Sequence, residues 1–436
     1  MKNLKIFSLV FFFSAFVTVC FADDQLITTP IKVHVESPGN LKYQIGKTKA
    51  KLITNLILTG DLNSDDIDYL RYMAGYEGGN LQYLDLSDAN MVNGGYTNFK
   101  ECKFLVVKLP KSIKKISKEA FRRCHNLEQV VIPDGVKIIG ESAFFYCKSL
   151  LSITVPNSVK GMGENVFEGC SSLKEVNLSD SLTDINICCF NDCSSLEKVT
   201  MPKNLKSISP DAFNGCVSLK NIDIPQTVKI IWGRAFSNCT ALTSVNITNI
   251  DAWGHIDFGA YYYTYDYDNL DSNPVYFAKH LYVNGEEIDN INIPSDVTRI
   301  GACAYCGIES LKKVNIHSNV ERVYPYAFYG CKNMAEIYVH AVKPPQAEIS
   351  CFEGIDKQSC TLYVPQGTDM DYFLAEGWGD FQNIVEFDAT GINQVDLSCS
   401  PKSVDYYNVN GMKTTRATKG LNILKMSDGI YKKVSF

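Results

Sequence analysis

The most constraining feature of this sequence is a cysteine that recurs at a constant step of 23 residues. The six cysteines that share this step are Cys124, Cys147, Cys170, Cys193, Cys216 and Cys239. A fixed step of this size is typical of a solenoid, in which each repeat forms one coil and buries its apolar edge only against its neighbours. The sequence therefore predicts one continuous stack of coils over most of its 436 residues.

Aligned on this cysteine, the coils share the pattern A-F-x-x-C-x-x-L-x-x-V-x-I-P-x-x-V-x-x-I-G. The alternation in V-x-I predicts a short, half-buried strand that ends at the proline. A second apolar pair, such as Val136 and Ile139, predicts the opposite wall of the coil. Each coil should then add one strand to a long parallel sheet and one irregular or short-helical return segment.

The repeat phase also predicts the domain boundaries. Ile308 lies three full steps after Cys239, so the interval 251–280 is interpreted as one altered coil inside a solenoid that spans 99–388. Residues 23–98 break the pattern and predict an N-terminal cap with divergent repeats, including a capped helix that starts near Ser64. Residues 389–436 predict a small β module with strands at 421–424 and 430–434.

The N-terminus predicts export from the cell. Residues 1–22 combine Lys2 and Lys5 with an uncharged run and a small-residue site that ends at Ala22, as a secretory signal peptide does. The alternative is lipoprotein processing at Cys20, although Val19 is bulky for that site. We therefore expect a secreted protein or one on the outer cell surface.

Composition excludes several functional classes. The formal net charge is −6, and no Lys- or Arg-rich run is present to neutralise phosphates, so a nucleic-acid partner is not expected. After the leader, no segment reaches the ~18 apolar residues that span a bilayer. No nucleophile, acid–base or metal-ligand spacing occurs. The sequence thus predicts a monomer that has no catalytic site, cofactor or metal.

The 16 cysteines are interpreted in two groups. One cysteine per coil at a constant phase predicts a column of buried free thiols, since free Cys is among the most buried residue types. Pairing between neighbouring coils stays an alternative. The disulfide candidates lie outside the column and are Cys188, Cys189, Cys303, Cys351, Cys360 and Cys399.

Two surfaces are candidates for binding a partner. The first is the row of small polar residues at the outward positions of the strands. It includes Asn221, Asn246, Asn290 and Asn292. Such a row suits a hydrogen-bonding partner, such as a glycan or an extended polypeptide, but it also suits a sheet face that only meets solvent.

The second candidate surface is an aromatic segment inside the altered coil. Its proposed binding residues are Trp253, Tyr261, Tyr262, Tyr263 and Tyr267. Exposed tyrosines give large contact areas at low entropic cost and are enriched at interfaces. The alternative is that this coil lacks the usual leucines and fills its core with aromatic rings, since Tyr265 falls on the leucine column.

These repeats resemble the BspA-like, or treponemal, branch of the leucine-rich repeats. Residues 212–225, which read A-F-N-G-C-V-S-L-K-N-I-D-I-P, are close to that family's consensus, and the resemblance covers about 45–388. It implies an α/β repeat fold: a leucine-rich-repeat solenoid with one parallel β-sheet, an N-terminal cap and a small C-terminal β module.

The resemblance also implies adhesion, through a protein or glycan ligand on host or neighbouring cells. The alternative function is glycan binding for nutrient capture. The tail from 407 onward is similar to C-terminal modules that serve as sorting signals in some exported bacterial proteins. It could equally be a final β-hairpin that follows the solenoid.

Overall fold

A computed structural model of the chain describes residues 25–75, 78–92, 97–259 and 270–388, together with four short strands beyond 404. The expected signal peptide, and with it Cys20, lies outside these residues. The described part is built from parallel strands that repeat once per coil, with few helices.

The first ladder is a row of parallel strands along the repeat region, and its strands form four successive hydrogen-bonded sheets. Neighbouring strands pair in register one coil apart, so that Glu175, Val176 and Asn177 lie opposite Lys198, Val199 and Thr200. Its strands are Ile31–Val35, Asn55–Leu62, Tyr83–Met91, Val106–Lys108, Gln129–Val131, Ser152–Thr154, Glu175–Asn177, Lys198–Thr200, Asn221–Asp223, Ser244–Ile247, Leu281–Val283, Asn290–Asn292, Lys313–Ile316, Glu336–Val339, Thr361–Pro365 and Asn383–Phe387. Between Leu281–Val283 and Asn290–Asn292, Glu286–Glu287 pairs antiparallel with the former strand.

A second ladder forms the opposite wall of the coils. In most coils a two-residue parallel strand includes the second residue of the predicted apolar pair: Ile138 and Ile139 pair with Lys115 and Ile116, whereas Val136 precedes the strand. Its strands are Lys115–Ile116, Ile138–Ile139, Gly161–Met162, Asp184–Ile185, Ser207–Ile208, Ile230–Ile231, Asp257–Phe258, Arg299–Ile300 and Arg322–Val323. The predicted repeat fold is confirmed, but the return segment, which the sequence predicts to be irregular or short-helical, contains a short parallel strand in most coils.

A column of phenylalanine rings fills the core between the two ladders. From Phe121 to Phe236, rings of successive coils stack with centroids 5.3–5.5 Å apart and interplanar angles of 14° or less. All of these rings are fully buried. Tyr305 takes the same place after the altered coil, where it stacks on Phe328. Each ring therefore buries its faces only against neighbouring coils.

The cysteine column lies beside the phenylalanines and is fully buried. Each thiol donates to the backbone carbonyl of the phenylalanine in the preceding coil, as Cys170 does to Phe144 at 3.2 Å and Cys193 does to Phe167 at 3.1 Å. Burial raises the pKa of the Cys170 thiol to about 12. The thiols of the column are free, as predicted.

The predicted disulfide candidates also carry free thiols, so that prediction is wrong for the five that the structure describes. Cys188 is half-exposed while Cys189 next to it is buried, so the two point to different sides of the coil wall. Cys303 and Cys306, three residues apart, are both buried, and burial together with the neighbouring Cys303 raises the pKa of the Cys306 thiol. Cys399, the sixth candidate, lies outside the described residues.

The end coils of the described solenoid carry helices in their return segments, and we call these coils the caps. At the N-terminal end, helix Ser64–Ala74 begins as predicted, with Asn63 as its cap and Asp66 completing the capping box. At the C-terminal end, the buried Trp378 indole donates to the Pro345 carbonyl at 2.8 Å. The helices are Leu41–Ile45, Lys47–Leu52, Ser64–Ala74, Ile250–Gly254, Val275–Ala278 and Asp369–Leu374, with 3-10 turns at Leu270–Ser272 and Ile349–Phe352.

Beyond residue 404, four strands form an antiparallel sheet of their own. They are Asp405–Tyr407, Lys413–Thr414, Leu421–Lys425 and Tyr431–Ser435. The last two pair with each other and match the two predicted strands within one residue.

Candidate functional site

The outer sheet face consists of the first-ladder side chains that point away from the core. In each short strand the central residue is buried and its two neighbours point outward: Ile222 is 1% exposed, whereas Asn221 and Asp223 are exposed. Because the strands pair in register, outward residues of successive coils form rows across the coils. This face is the largest regular surface that the repeats present.

Charges on the outer sheet face are neutralised within the face itself. Lys108 pairs with Asp85 at 2.8 Å, and Lys198 pairs with Glu175 at 2.7 Å. Exposed ion pairs of this kind contribute only ~0–1 kcal/mol to stability. Their effect is instead to leave the face without a strong charge of either sign. A partner must therefore be recognised there by hydrogen bonds and apolar contact.

Two of the predicted binding residues, Asn221 and Asn246, lie on neighbouring strands of this face. They line a depression of about 490 Å³ together with Ser244, Tyr282 and His280. The Asn246 side-chain amide donates to Asp223 at 2.9 Å, and the Ser244 hydroxyl donates to Asn221. The depression thus holds two hydrogen-bonded polar pairs beside the half-buried Tyr282 ring.

Asn290 and Asn292, the other two predicted asparagines, belong to the next hydrogen-bonded sheet along the solenoid. Both are exposed. The Asn315 amide donates to the Asn292 carbonyl oxygen at 2.6 Å, so these side chains continue the polar row. They do not line the depression at Asn221 and Asn246.

The aromatic segment of the altered coil is only partly described. Trp253 is 1% exposed, and its indole N–H donates to the Ala304 carbonyl at 2.9 Å. This corrects the prediction that Trp253 offers a contact surface, because a core position and a buried hydrogen bond hold the ring inside. Tyr261, Tyr262, Tyr263 and Tyr267 lie outside the described residues, and their binding role stays a prediction.

A different group of aromatic residues lies on the outer sheet face near its C-terminal end. We call Tyr338, Tyr363, Phe387 and His340 the aromatic patch. The Tyr338 and Tyr363 rings stack with centroids 4.2 Å apart and an interplanar angle of 8°. Phe387 meets Tyr338 edge-on at 5.7 Å and His340 at 5.1 Å. All four side chains are half-buried.

Strand register brings the patch together. Tyr338 lies opposite Tyr363, which in turn lies opposite the exposed Val385 on the last strand. The Lys313 ammonium group covers the other face of Tyr338 at 4.1 Å and also pairs with Glu336 at 3.4 Å. The tyrosines therefore present ring edges and hydroxyl groups to solvent, while their faces pack against each other or a cation.

Burial and neighbouring residues shift the pKa values of three side chains in the aromatic patch. Partial burial raises the pKa of both Tyr338 and Tyr363, so the phenols remain protonated donors. Burial, helped by the nearby His317, lowers the pKa of His340, so its imidazole is neutral at pH 7. The patch is therefore uncharged apart from the Lys313–Glu336 pair at its margin.

The sequence contained a signal for this patch. Tyr338 lies 23 residues after Asn315 and thus continues the same outward column. Tyr363 also alternates with the buried Leu362 and Val364. The step from Tyr338 to Tyr363 is, however, 25 residues rather than 23. Only strand pairing shows that the two rings are direct neighbours.

The remaining chemical features of the described ranges concern metal binding, membrane spans and the thiols. There, no group of three His, Cys, Asp or Glu residues is arranged to hold a metal ion. In those same ranges, no helix combines the length and apolarity needed to cross a membrane. Burial raises the pKa of the column thiols well above the physiological range, which removes their nucleophilic form. The site residues are thus suited to binding.

Comparison with known proteins supports this description. A family model for the BspA type Leucine rich repeat region matches in six copies, over residues 93–216, 163–271 and 275–366. Together these ranges span more than half of the chain. No curated protein matches the chain.

Solved structures similar to this chain include three leucine-rich repeat proteins. A leucine-rich repeat protein from Bacteroides ovatus is 20% identical over 72% of this chain and 87% of its own, with a TM-score of 0.41. A leucine rich cell surface protein from Faecalibacterium prausnitzii is 19% identical over 72% and 84%, with a TM-score of 0.28. The T. pallidum leucine rich repeat protein is 23% identical over 48% and 68%, with a TM-score of 0.27.

Proposed function

The chain belongs to the BspA-type leucine-rich repeat family, and we propose that it is a secreted or surface-exposed adhesion protein that binds a protein partner on host or neighbouring cells. Repeat proteins of this kind act as binding scaffolds. The observation that carries the proposal is the aromatic patch, where aromatic side chains on three adjacent strands remain half-exposed.

The chemistry of the patch favours a protein partner. Tyrosine, with one apolar and one polar end, is enriched at the buried centres of protein interfaces. The Tyr338 and Tyr363 rings are held rigid by stacking, so ordering them on binding costs little entropy. Their faces are covered, which favours edge and hydroxyl contacts over the stacking of a sugar ring.

The experiment is a binding screen of the intact chain against extracellular matrix and cell-surface proteins, followed by a variant pair. Tyr338→Ser with Tyr363→Ser should weaken the best hit at least tenfold, as loss of interface hot spots does. The matched control, Tyr43→Ser with Tyr83→Ser, removes two exposed tyrosines far from the patch and should leave affinity unchanged. Equal loss in both variants, or no loss in the first, would contradict a role for the patch.

A second candidate function is glycan capture at the depression beside Asn246. Its hydrogen-bonding lining and a volume of about 490 Å³ favour a sugar residue. A glycan array with the intact chain tests this. Asn246→Ala and Tyr282→Ala should each reduce a glycan signal, whereas the Tyr338→Ser and Tyr363→Ser variant should retain it.

A further inference from the structure

A row of exposed lysines runs along the edge of the second ladder. Its members recur at the 23-residue step, immediately before the two-residue strands, and we call them the lysine stripe. They are Lys114, Lys137, Lys160, Lys206 and Lys229. Thr183 occupies the one interrupted position. Because a constant 23-residue spacing disperses them in sequence, they form no basic run there.

Backbone hydrogen bonds fix the register of the stripe. The amide of Lys137 donates to the Lys114 carbonyl at 2.8 Å, and the amide of Lys160 donates to Lys137 at 2.9 Å. Lys229 donates to Lys206 in the same way. The bonded register covers Lys114 to Lys160 in one sheet and Thr183 to Lys229 in the next, and within each sheet neighbouring positions lie ~4.8 Å apart.

The stripe differs from the other lysine rows of this protein in having no counter-charges. Elsewhere, lysines pair with carboxylates one coil away, as Lys198 does with Glu175, Lys203 with Asp180 and Lys332 with Glu309. Within the described residues, no stripe lysine lies within ion-pair distance of a carboxylate. Asp184, the acid beside the gap, accepts a hydrogen bond from Thr183 at 2.6 Å.

Like charges held at this spacing reinforce one another. Within each hydrogen-bonded sheet, the strand spacing of ~4.8 Å between neighbouring lysines is below the Debye length of ~8 Å at physiological salt, so their fields add. In a chain with a formal net charge of −6, this stripe is a local exception to the overall sign. A linear ligand with regularly spaced anionic groups would neutralise it and release its counterions.

We propose that the lysine stripe binds an acidic polysaccharide, with sulfate or carboxylate groups of successive sugars lying along the row. The strand positions directly beside the stripe hold no aromatic ring on which bases could stack; they are Lys115, Ile138, Gly161, Asp184, Ser207 and Ile230. Double-stranded DNA carries one negative charge per ~1.7 Å of helix axis, whereas the lysines of the stripe are spaced ~4.8 Å or more apart. The charge spacing of the stripe therefore does not match that of DNA. These two features favour a polysaccharide over a nucleic acid.

The test measures binding of the intact chain to heparin, to polygalacturonate, to neutral dextran and to a single-stranded polynucleotide, over a salt series. Heparin and polygalacturonate distinguish sulfate from carboxylate ligands. Binding to either acidic polysaccharide, with none to dextran, is the expected result. No binding to either one, or tighter binding of the polynucleotide, overturns the proposal.

Matched variants separate the stripe from general charge. The stripe variant carries Lys137→Gln, Lys160→Gln and Lys206→Gln, and the control carries Lys198→Gln, Lys203→Gln and Lys332→Gln, which change net charge equally. The stripe variant should lose at least tenfold in affinity. The slope of its log affinity against log salt concentration should be smaller in magnitude by about 2. The control should change little, and equal losses in the two variants overturn the proposal.

A gain-of-affinity variant guards against effects of misfolding. Thr183→Lys fills the gap in the stripe and should tighten polysaccharide binding several-fold. A protein that merely lost structure could not bind more tightly. Unchanged or weaker binding by this variant, with circular dichroism equal to wild type, counts against a continuous binding line. Because the aromatic patch lies on the first ladder, failure here leaves the proposed protein-binding function untouched.

Discussion

At the scale of the residue, each cysteine of the column fills space between coils, and its burial changes the pKa of its thiol. Each thiol is small enough for the slot between coils and donates to a carbonyl of the preceding coil. Because burial disfavours the thiolate, the pKa of Cys170 and that of Cys239 are each raised to about 12. Repeating one buried thiol per coil makes the folded chain sensitive to alkaline pH.

This predicts a specific pH dependence of stability. An unfolded thiol titrates near pH ~8.5, whereas Cys170 in the folded chain titrates near 12. As the pH rises, the thiol of the unfolded state therefore loses its proton first. Below pH ~8.5 the thiol is protonated in both states, so its contribution to the unfolding free energy is fully present. Between these two values, each such thiol removes ~1.4 kcal/mol of unfolding free energy per pH unit.

Cys170→Ala should be less stable than wild type at pH 7 by ~1–3 kcal/mol, and this deficit should shrink between pH 9 and pH 11. Denaturant unfolding at a series of pH values measures it. Leu173→Ala, a change in the same coil that removes no titrating group, should keep a constant deficit. If the unfolding free energies of wild type and both variants changed in parallel with pH, buried thiol titration would be excluded as the cause.

At the scale of the element, the turn around each cysteine imposes left-handed backbone. Two positions per coil have positive φ, one before the Ala-Phe pair and one before the cysteine, as in Glu119 with φ 58° and Arg123 with φ 58°. Gly169 and Gly215 take the second position in other coils, with φ 70° and 75°. A residue with a Cβ is disfavoured there by ~1–2 kcal/mol.

Arg123→Gly should therefore stabilise the protein by about 0.5–1 kcal/mol, after subtracting the greater unfolded-state entropy of glycine. Arg123 is exposed, and the substitution retains the backbone bond from its amide to Phe145. Thermal unfolding provides the measurement. Arg123→Ala keeps a Cβ in the left-handed region and should not stabilise. The same melting temperature for both variants would exclude backbone strain as the cause.

At the scale of the whole molecule, each coil contacts only its neighbours, so damage should remain local. Trp378 closes the C-terminal end beside the aromatic patch, where its ring packs on Phe352 at 4.7 Å. Asp66 closes the N-terminal end, where its buried carboxylate accepts from the amides of Gly39, Leu41 and Asn63. The two caps lie at opposite ends of the first ladder.

Trp378→Ala should open the last coils, at a cost of ~3–5 kcal/mol, and abolish binding at the aromatic patch. Asp66→Ala should open the N-terminal cap and leave the patch intact. Hydrogen exchange mapped along the chain tests this, with faster exchange expected only near the altered cap. Uniformly faster exchange in either variant would show that the solenoid unfolds as a single unit.

Much of this architecture is encoded locally. The cysteine, phenylalanine and leucine columns follow from the 23-residue step, and strand alternation alone places Asn221 and Asn292 outward. Such features can be predicted because each coil repeats the same environment, so one alignment position has one structural role. The interior of the solenoid and the polarity of its sheet face were therefore determined by the sequence.

The tertiary structure alone decided which side chains meet where the coils depart from the repeat. Trp253 is buried because its indole reaches Ala304, 51 residues away, which no local pattern reports. Tyr338 and Tyr363 meet across a 25-residue coil, and the lysine stripe is unpaired because acids lie opposite other rows instead. The step length determines which residues share a column. Lateral neighbours depend on how strands pair and loops fold back, since those contacts join residues far apart in the chain.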